Sequence, residues 1–461
     1  MQTLGTYLET AVERFGERPA LLYRPRYRTE IWTYARLWEQ SGRVARLMQA
    51  RGLEAGDRVV IWAPNSPWWV AAFFGCLRLG LIVVPLDLRS GAEYVQRVLR
   101  QTEPALAFLS RLTVEEWRYP APTMLLGELD AMLDAPCGDP LTVAVDPDDV
   151  AEVIFTSGTT GDPKGVILTH GNITANAESA MQVIPTSPYY RLISLLPLSH
   201  MFEQTVGLLL PLGCGASVYY PAGRQSSLIF RDLKSQGITT ILAVPQALAL
   251  FMAAIEREVR KQGREATWKR MQRLAAALPI PVRRLLFRGV HRRLGGRLQF
   301  LVSGGAPLEP ELIRKWELLG LPVLQGYGAT EAAPIISGTS LSDRRPGSVG
   351  RAVPGVELRL AEDGEVLVRG PNITRGYWRN SRATEEAFRD GWYCTGDLGQ
   401  IADDGFLTLR GRKKDLIVLA NGQNVYPADV ENALRALDGA TDMVVVGLPT
   451  SQGAQVYAVL L

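Results

Sequence analysis

Over the first 110 residues, short runs of β-branched residues alternate with helical segments, and this alternation restricts the fold more than any other feature of the sequence. Residues 57–62 (DRVVIW) and 81–86 (LIVVPL) predict strands, and residues 67–79 between them, closed by Gly80, predict a helix. This order of elements is typical of helices layered on a largely parallel sheet. The chain is therefore expected to be an α/β protein.

The pattern changes after Gly347, where short strands are joined by turns. Residues 355–370 (GVELRLAEDGEVLVRG) contain the hairpin signal Asp363-Gly364 and predict a small β subdomain at about 347–410. Residues 415–437 predict a strand, an Asn421-Gly422 turn and a helix that begins near Pro427. With 461 residues, the chain has room for several units of the ~150 residues that make one ordinary domain.

Composition and charge exclude several classes of protein. A chain that is 47% hydrophobic and 21% charged is typical of a folded globular protein. Its net charge of +3 is too small to hold a nucleic-acid backbone, so no nucleic acid is expected as a partner. The four cysteines lack metal-site spacing, which argues against zinc. Residues 1–20 lack the apolar run of a signal peptide, so a cytoplasmic protein is expected.

Residues 257–297 form a basic segment, with thirteen Lys or Arg against two Glu. Apolar residues recur in it at roughly helical spacing, which predicts one or two amphipathic helices. Their arginines either face water or form a surface for anionic lipid at the inner face of a membrane. The arginines expected on such a surface are Arg283, Arg284, Arg292 and Arg293.

Residues 153–166 (VIFTSGTTGDPKGV) give the strongest indication of a binding site. A predicted strand leads into small and hydroxyl-bearing residues, whose backbone N–H and O–H groups can approach phosphate oxygens, and Lys164 adds a positive charge. A Walker A loop would need Gly-Lys where Pro163 stands, and the residues after Lys164 predict a strand rather than a helix. The segment predicts a polyphosphate site of another kind, with a plain hairpin turn as the alternative.

Four motifs resemble, in order, those of the adenylate-forming enzymes, which include acyl-CoA synthetases, luciferases and peptide-synthetase adenylation domains. They are TSGTTGDPKG at 156–165, QGYGATE at 325–331, GWYCTGDLG at 391–399 and GRKKDLIVLANGQNVYPADVE at 411–431. Within this superfamily, the basic segment followed by LQFLVSGGAPLEPEL at 298–312, together with PNITRGYW at 371–378, is most similar to bacterial long-chain fatty acid–CoA ligases.

The resemblance implies that the first two motifs bind ATP and Mg²⁺. In the second motif it assigns Tyr327, between Gly326 and Gly328, to adenine, Thr330 to the α-phosphate and Glu331 to the metal. A dinucleotide fingerprint is excluded because Glu331 stands at the last glycine position. The residues placed around the β and γ phosphates are Thr156, Ser157, Gly158, Thr159, Thr160, Gly161 and Lys164.

The later motifs resemble the ribose site of the family. Asp397 matches an aspartate that accepts both ribose hydroxyls, because one carboxylate suits two adjacent O–H donors. Arg412 matches an arginine that contacts ribose or phosphate. Without the resemblance, both residues would be read as solvated side chains at turns.

Three further sets of residues are assigned to the reacting carboxylate, the acyl chain or the adenine. His200 matches a family position beside the carboxylate and the α-phosphate, and with Thr330 and Glu331 it forms the expected catalytic set. Residues 204–211 (QTVGLLLP) wall a hydrocarbon pocket or belong to the core. Gly304, Gly305 and Ala306 are too small to fill space, so they line an adenine slot or an acyl channel, or simply close a strand.

Lys414 matches the hinge about which the small C-terminal domain of this family swings. The resemblance thus divides the chain into a large AMP-binding domain, 1–413, and a hinge with a truncated α+β C-terminal domain, 414–461. The family's catalytic lysine lies well beyond the hinge, and no lysine follows Lys414. We expect such a chain to bind nucleotide but to turn over slowly.

The sequence therefore predicts an acyl-CoA synthetase that forms an acyl-adenylate from ATP and a medium- to long-chain fatty acid, and then transfers the acyl group to coenzyme A. An aryl acid–CoA ligase and an acyl-AMP ligase that loads a carrier protein would share every ATP motif. A non-catalytic nucleotide- or acyl-binding protein is the alternative if the chain naturally ends at Leu461. A homodimer is also compatible with the sequence.

Overall fold

The computed structural model describes residues 2–25, 28–132, 143–156, 162–223, 225–419, 424–434, 443–450 and 453–460. The predicted phosphate-binding residues 157–161 and the Asn421-Gly422 turn lie outside these ranges. The strands are β1 Pro19–Tyr23, β2 Glu30–Thr33, β3 Arg58–Trp62, β4 Ile82–Pro85, β5 Leu106–Leu109, β6 Thr123–Leu125, β7 Val150–Thr156, β8 Lys164–Thr169, β9 Arg191–Ile193, β10 Ser217–Tyr220, β11 Thr240–Ala243, β12 Phe300–Ser303, β13 Val323–Gly328, β14 Ile335–Gly338, β15 Arg351–Ala352, β16 Glu357–Leu360, β17 Glu365–Arg369, β18 Phe388–Arg389, β19 Trp392–Ile401, β20 Leu407–Arg412, β21 Ile417–Val418, β22 Asn424–Val425, β23 Met443–Thr450 and β24 Gly453–Leu460.

Helices cover the sheets. They are α1 Leu4–Phe15, α2 Tyr34–Ala50, α3 Pro67–Arg78, α4 Ala92–Thr102, α5 Leu129–Met132, α6 His170–Val183, α7 Leu210–Gly213, α8 Ser226–Gln236, α9 Pro245–Lys261, α10 Glu265–Ala276, α11 Ile280–Leu286, α12 Arg288–Arg293, α13 Pro310–Leu318, α14 Ser381–Ala387 and α15 Pro427–Leu434. A π-helical segment, Glu203–Leu209, leads into α7, and a short 3₁₀ turn, Thr330–Ala332, follows β13.

Two large sheets are built mainly from parallel strands, which confirms the α/β expectation. One has the order β6-β5-β3-β4-β7-β8, and all its pairs are parallel except β7 with β8. The other has nine strands, β15-β14-β13-β12-β11-β9-β10-β1-β2, with antiparallel strands at its two ends. Strands such as β4 and β5 are apolar and buried throughout, because helices cover both faces of a parallel sheet.

The third sheet is the small β unit expected after Gly347. It holds β16-β17-β19-β18 with β20 on β19, all antiparallel. In the last part of the chain, β21 pairs with β22, β23 pairs with β24, and α15 begins at Pro427 as the sequence predicts.

Helix α3 shows why the most apolar stretch of the chain is a core element. Ser66 caps its first turn by accepting a hydrogen bond from the Trp69 N–H, and nearly all of its residues are buried. Arg78 ends the helix with its guanidinium 3.4 Å from the centre of the Trp38 ring, and burial lowers the pKa of Arg78 to about 10. Among the described residues, no helix is long and apolar enough to cross a membrane.

The basic segment folds into the end of α9 and helices α10–α12, which confirms its helical periodicity. Arg283 and Arg284 differ from the expectation, because they are half-buried and donate to backbone carbonyls rather than facing lipid. Arg283 Nε bonds the Leu278 carbonyl at 2.6 Å, and Arg284 Nη2 bonds the Leu298 carbonyl at 2.6 Å. The two carbonyls lie in loops, one after α10 and one before β12, and would otherwise lack these donors. Arg283 and Arg284 therefore have a structural role.

Candidate active site

A cavity of about 940 Å³ opens where the carboxyl ends of β12 and β13 face the five-stranded sheet. In parallel sheets this edge is where ligands bind, because loops and helix ends leave a crevice there. Its wall includes most of the described residues that the sequence assigns to the site. They are Thr156, Lys164, His200, Gly304, Gly305, Gly326, Tyr327, Gly328, Thr330, Glu331, Asp397 and Arg412. Ala306, half-buried beside Gly305, does not line this cavity.

A carboxylate with two donors forms one end of the cavity. The Tyr327 hydroxyl donates to Asp397 Oδ2 at 2.6 Å, and Arg412 Nε lies 3.2 Å from Asp397 Oδ1. Burial raises the pKa of Asp397, and these two neighbours oppose the shift. An ionised carboxylate has about four acceptor positions, so the two that remain can accept a vicinal diol such as a ribose.

Four glycines line the cavity at the ends of β12 and β13: Gly304, Gly305, Gly326 and Gly328. A methyl group placed on Gly304 would lie 2.9 Å from the Phe202 ring, and one on Gly328 would lie 1.9 Å from the Pro334 carbonyl oxygen. Only glycine fits at Gly328, where the contact is with backbone, whereas a side chain at Gly304 would require the Phe202 ring to move. The cavity wall at the carboxyl ends of β12 and β13 is therefore lined partly by glycine backbone, which suits a flat aromatic ring such as adenine.

A second carboxylate, Glu331, lies on the 3₁₀ turn after β13. The Tyr377 hydroxyl donates to Glu331 Oε1 at 2.8 Å, and Lys164 Nζ lies 5.4 Å from the centre of the Tyr377 ring. Burial, together with the charge of Glu331, raises the pKa of Tyr377, which keeps its hydroxyl a donor. In the part of the chain that the structure describes, Glu331 Oε2 has no hydrogen bond. One carboxylate oxygen is thus left for a cation beside a lysine that can hold phosphate.

Backbone pairing holds the hairpin that carries Lys164 against the same element as Tyr377. Thr156 and Lys164 face each other as the last described pair of β7 and β8. Ile167 N–H donates to the Gly376 carbonyl at 3.0 Å, and Trp378 N–H donates to the Gly165 carbonyl at 2.7 Å. These bonds hold strand β8, which begins at Lys164, beside the segment that carries Tyr377.

His200 lies on the open side of the cavity and is held by an acid that the sequence reasoning missed. Its Nε2 is 2.9 Å from Asp87 Oδ2, and Arg89 Nη2 bonds the same oxygen at 2.9 Å. Burial opposes ionisation of Asp87, but the hydrogen bonds from His200 and Arg89 outweigh it, so the pKa of Asp87 is well below its usual range. Asp87 therefore fixes the imidazole and places the Arg89 cation on the cavity wall.

The side chains of half-buried Asn65 and buried Gln204 support the turn that carries His200. The Asn65 side chain accepts from the Leu198 N–H at 2.9 Å, and Gln204 Nε2 donates to the Leu198 carbonyl at 2.9 Å. Gln204 also donates to Glu152, whose pKa burial raises to about 8. Both the N–H and the carbonyl of Leu198 are therefore hydrogen-bonded, which holds the turn that carries His200 in place.

One part of the cavity wall is apolar. Met201, Phe202 and Val206 come from the turn and the π-helical segment, and Val183 and Val244 complete that wall. Of the stretch 204–211, only Val206 lines the cavity, while its other residues are buried. The same cavity therefore contains the carboxylates of Asp397 and Glu331, the cations of Lys164 and Arg412, and an apolar chamber.

Three site residues were not assigned from the sequence. Tyr377 lies in PNITRGYW, which was used only for the resemblance. Asp87 and Arg89 directly follow β4, and a polar residue at the carboxyl end of a buried parallel strand is a signal that could have indicated them.

The matching family is described as AMP-binding enzyme, and its model covers residues 8–378. A long-chain fatty acid–CoA ligase of Mycobacterium bovis, FadD15, is 34% identical over 437 residues, which are 86% of this chain and 72% of the relative. A feruloyl-CoA synthase of an Amycolatopsis species is 30% identical, over 92% of this chain and 82% of the relative. The structure of Bacillus subtilis o-succinylbenzoate–CoA synthetase with ATP and a magnesium ion superposes with a TM-score of 0.80 at 25% identity, covering 98% of this chain and 89% of that one.

Proposed function

The chain belongs to the family of AMP-binding enzymes, as an AMP-forming acid–CoA ligase, and from that premise we propose that its substrate is a medium- to long-chain fatty acid. The observation that carries this proposal is the apolar chamber formed by Phe202, Val206 and Val244 in the same cavity as Asp397 and Glu331. The relative with 34% identity is named for long-chain fatty acids.

The proposed reaction has two steps. The fatty acid carboxylate attacks the α-phosphorus of ATP, the bond to the bridging oxygen breaks, and pyrophosphate leaves. The thiolate of coenzyme A then attacks the acyl carbon of the adenylate, and AMP leaves. Asp397 would orient the ribose, and Lys164 would hold the leaving phosphates. His200 and Thr330 would lie beside the reacting oxygens, where fixed donors stabilise developing charge.

Mg²⁺ fits this donor set. Magnesium is bound through one or two carboxylates plus substrate phosphates, and Glu331 Oε2 is a free carboxylate oxygen among the described residues. When bound, the metal would neutralise charge on the pyrophosphate leaving group. We propose Glu331 as its protein ligand, oriented by the Tyr377 hydroxyl.

We also propose that the chain divides at Lys414 into a large domain, 1–413, and a C-terminal part, 414–461. Lys413 is held by Asp363 at 2.5 Å and by Glu365 at 3.0 Å. Lys414 is exposed and forms no ion pair with any residue that the structure describes. Residue 413 is thus the last one anchored by charge to the five-stranded sheet, which suits a pivot at the next residue.

Pyrophosphate release with a graded series of acids tests the proposed substrate. Each buried methylene contributes about 0.8 kcal/mol, so kcat/KM is expected to rise from butyrate through octanoate to dodecanoate. Ferulate is the aromatic comparison, and CoA consumption is followed in parallel. A preference for ferulate would contradict the fatty acid assignment, and acyl-adenylate that is left by CoA but consumed by an added carrier protein would indicate a carrier-protein acceptor.

We further propose that the basic segment meets anionic membranes through α10 and α11. Leu274, Val282 and Leu285 are 55%, 41% and 68% exposed, although large apolar side chains are usually buried. Arg270 and Arg273 are exposed beside Leu274 and have no ion pair among the described residues. Exposed apolar groups with adjacent cations are typical of interfacial helices.

Liposome sedimentation tests this contact. Each cation near an anionic surface contributes about 1 kcal/mol, so the double variant Arg270→Gln/Arg273→Gln is expected to bind anionic vesicles roughly 30-fold more weakly. Arg51→Gln/Arg100→Gln, which removes two exposed arginines elsewhere, is the matched control. Equal binding by the two double variants would assign α10 and α11 to a solvent-facing role.

A further inference from the structure

A second cavity, of about 990 Å³, lies among helices α8, α9, α10 and α12. Its inner wall is apolar, and Trp268 and Phe287 meet there edge to face with ring centres 5.2 Å apart. Ile255, Met271 and Leu286 extend this wall. The volume is at the upper end of the usual range for small-molecule sites, which are mostly apolar with a few placed polar groups.

The rim of this cavity is cationic. Among the described residues that line it, the one acidic residue, Glu258, is paired with Arg293 at 3.1 Å. Lys234, Arg264 and Arg292 are exposed at the rim and form no ion pair with any residue in the described ranges. An apolar wall beneath three unpaired cations is complementary to an amphipathic anion.

The cavity is separate from the active site. No residue in the described ranges lines both cavities. Helix α9 runs from one cavity to the other. Val244, just before its first residue, lines the active site, and Ala254, Ile255 and Glu258 in its second half line the second cavity. At 1.5 Å per residue, Ala254 lies roughly 15 Å along the helix from Val244.

We infer that this second cavity binds the anion of a single-chain lipid, a free long-chain fatty acid, with its carboxylate at Lys234, Arg264 and Arg292 and its chain against Trp268 and Phe287. The site would hold a fatty acid apart from the nucleotide. The inference rests on the lining of this cavity and not on the substrate proposed for the active site.

Gly289 allows the cavity to be filled without strain. It lines the cavity, and a methyl group built on it meets no atom within 4 Å. Gly289→Leu therefore projects into open space, and leucine is also a better helix former than glycine. Gly127→Leu is the matched control, because Gly127 is equally open and lines neither cavity.

Equilibrium dialysis with radiolabelled palmitate, without ATP or vesicles, tests the inference. The wild type and Gly127→Leu are expected to bind two palmitates per chain, and Gly289→Leu one. One palmitate in the wild type and none in Gly289→Leu would still support the second cavity, and would contradict fatty acid binding at the active site. Equal stoichiometry in Gly289→Leu and Gly127→Leu would overturn the inference and leave the proposed substrate standing.

The rim gives an independent readout. The variant Lys234→Gln/Arg264→Gln/Arg292→Gln is expected to weaken palmitate binding at this site roughly tenfold, since exposed charge pairs contribute little each but three act together. Uncharged hexadecanol should bind the variant and the wild type equally. An equal loss for both probes would overturn the assignment of the carboxylate to the rim.

Discussion

Glu331→Ala is expected to lower acid-dependent ATP–pyrophosphate exchange by about 10²- to 10³-fold, because it removes a preorganised charge partner of the leaving group. The side chain lies on the cavity wall, and Tyr377 holds it at 2.8 Å. Its backbone carbonyl accepts from the Thr374 N–H, a bond that the substitution leaves in place. The Mg²⁺ concentration for half-maximal exchange should also rise, which separates loss of a metal ligand from a general defect.

Two further variants show whether the loss in Glu331→Ala comes from its carboxylate. Tyr377→Phe keeps the Glu331 carboxylate but removes its hydroxyl donor, so a loss of about fivefold is expected for one hydrogen bond. Glu386→Ala removes a carboxylate that lines the same cavity but pairs with Arg382 at 2.9 Å, and should leave exchange unchanged. If Glu331→Ala behaves like Glu386→Ala, Glu331 does not bind the metal.

The parts of the fold that could be predicted from the sequence are those whose signal is local. Strands β3 and β4 are short apolar runs, and the helix between them has a capping serine and Pro67 at its start. Pairing partners are not local. Strands β1 and β2 precede β3 in the chain but join the nine-stranded sheet, beside β10. Nothing in residues 19–33 indicates that partner.

The site divides in the same way. Tyr327, Asp397 and Arg412 each lie in a motif that could be recognised, and the structure brings both Tyr327 and Arg412 against the Asp397 carboxylate. The pair of Asp87 with His200 joins segments 113 residues apart, and no motif links them. Likewise, the sequence shows how many arginines the basic segment has, but not that Arg283 donates to the Leu278 carbonyl. Such contacts depend on tertiary packing.

Asp397→Ala is expected to raise the Kd for ATP by about 10- to 100-fold, because hydrogen bonds to a charged group contribute about 1.5–3 kcal/mol and the substitution removes the acceptor of the ribose hydroxyls. It also leaves Arg412 and the Tyr327 hydroxyl without their partner. Asp363→Ala is the matched control, because Asp363 pairs with Lys413, which directly follows β20, and does not line the cavity. ATP binding in the control should be unchanged.

Comparing ATP with 2′,3′-dideoxy-ATP separates a lost ribose contact from a collapsed slot. The wild type is expected to bind the dideoxy analogue more weakly than ATP, whereas Asp397→Ala should bind the two nucleotides equally, because the pair of changes forms a double-mutant cycle on one contact. Tyr327→Phe keeps the aromatic face and the carboxylate, so it should retain discrimination with a smaller loss of affinity. If Asp397→Ala still prefers ATP, the ribose hydroxyls bind elsewhere, and the carboxylate serves mainly to hold Tyr327 and Arg412 at the mouth of the cavity.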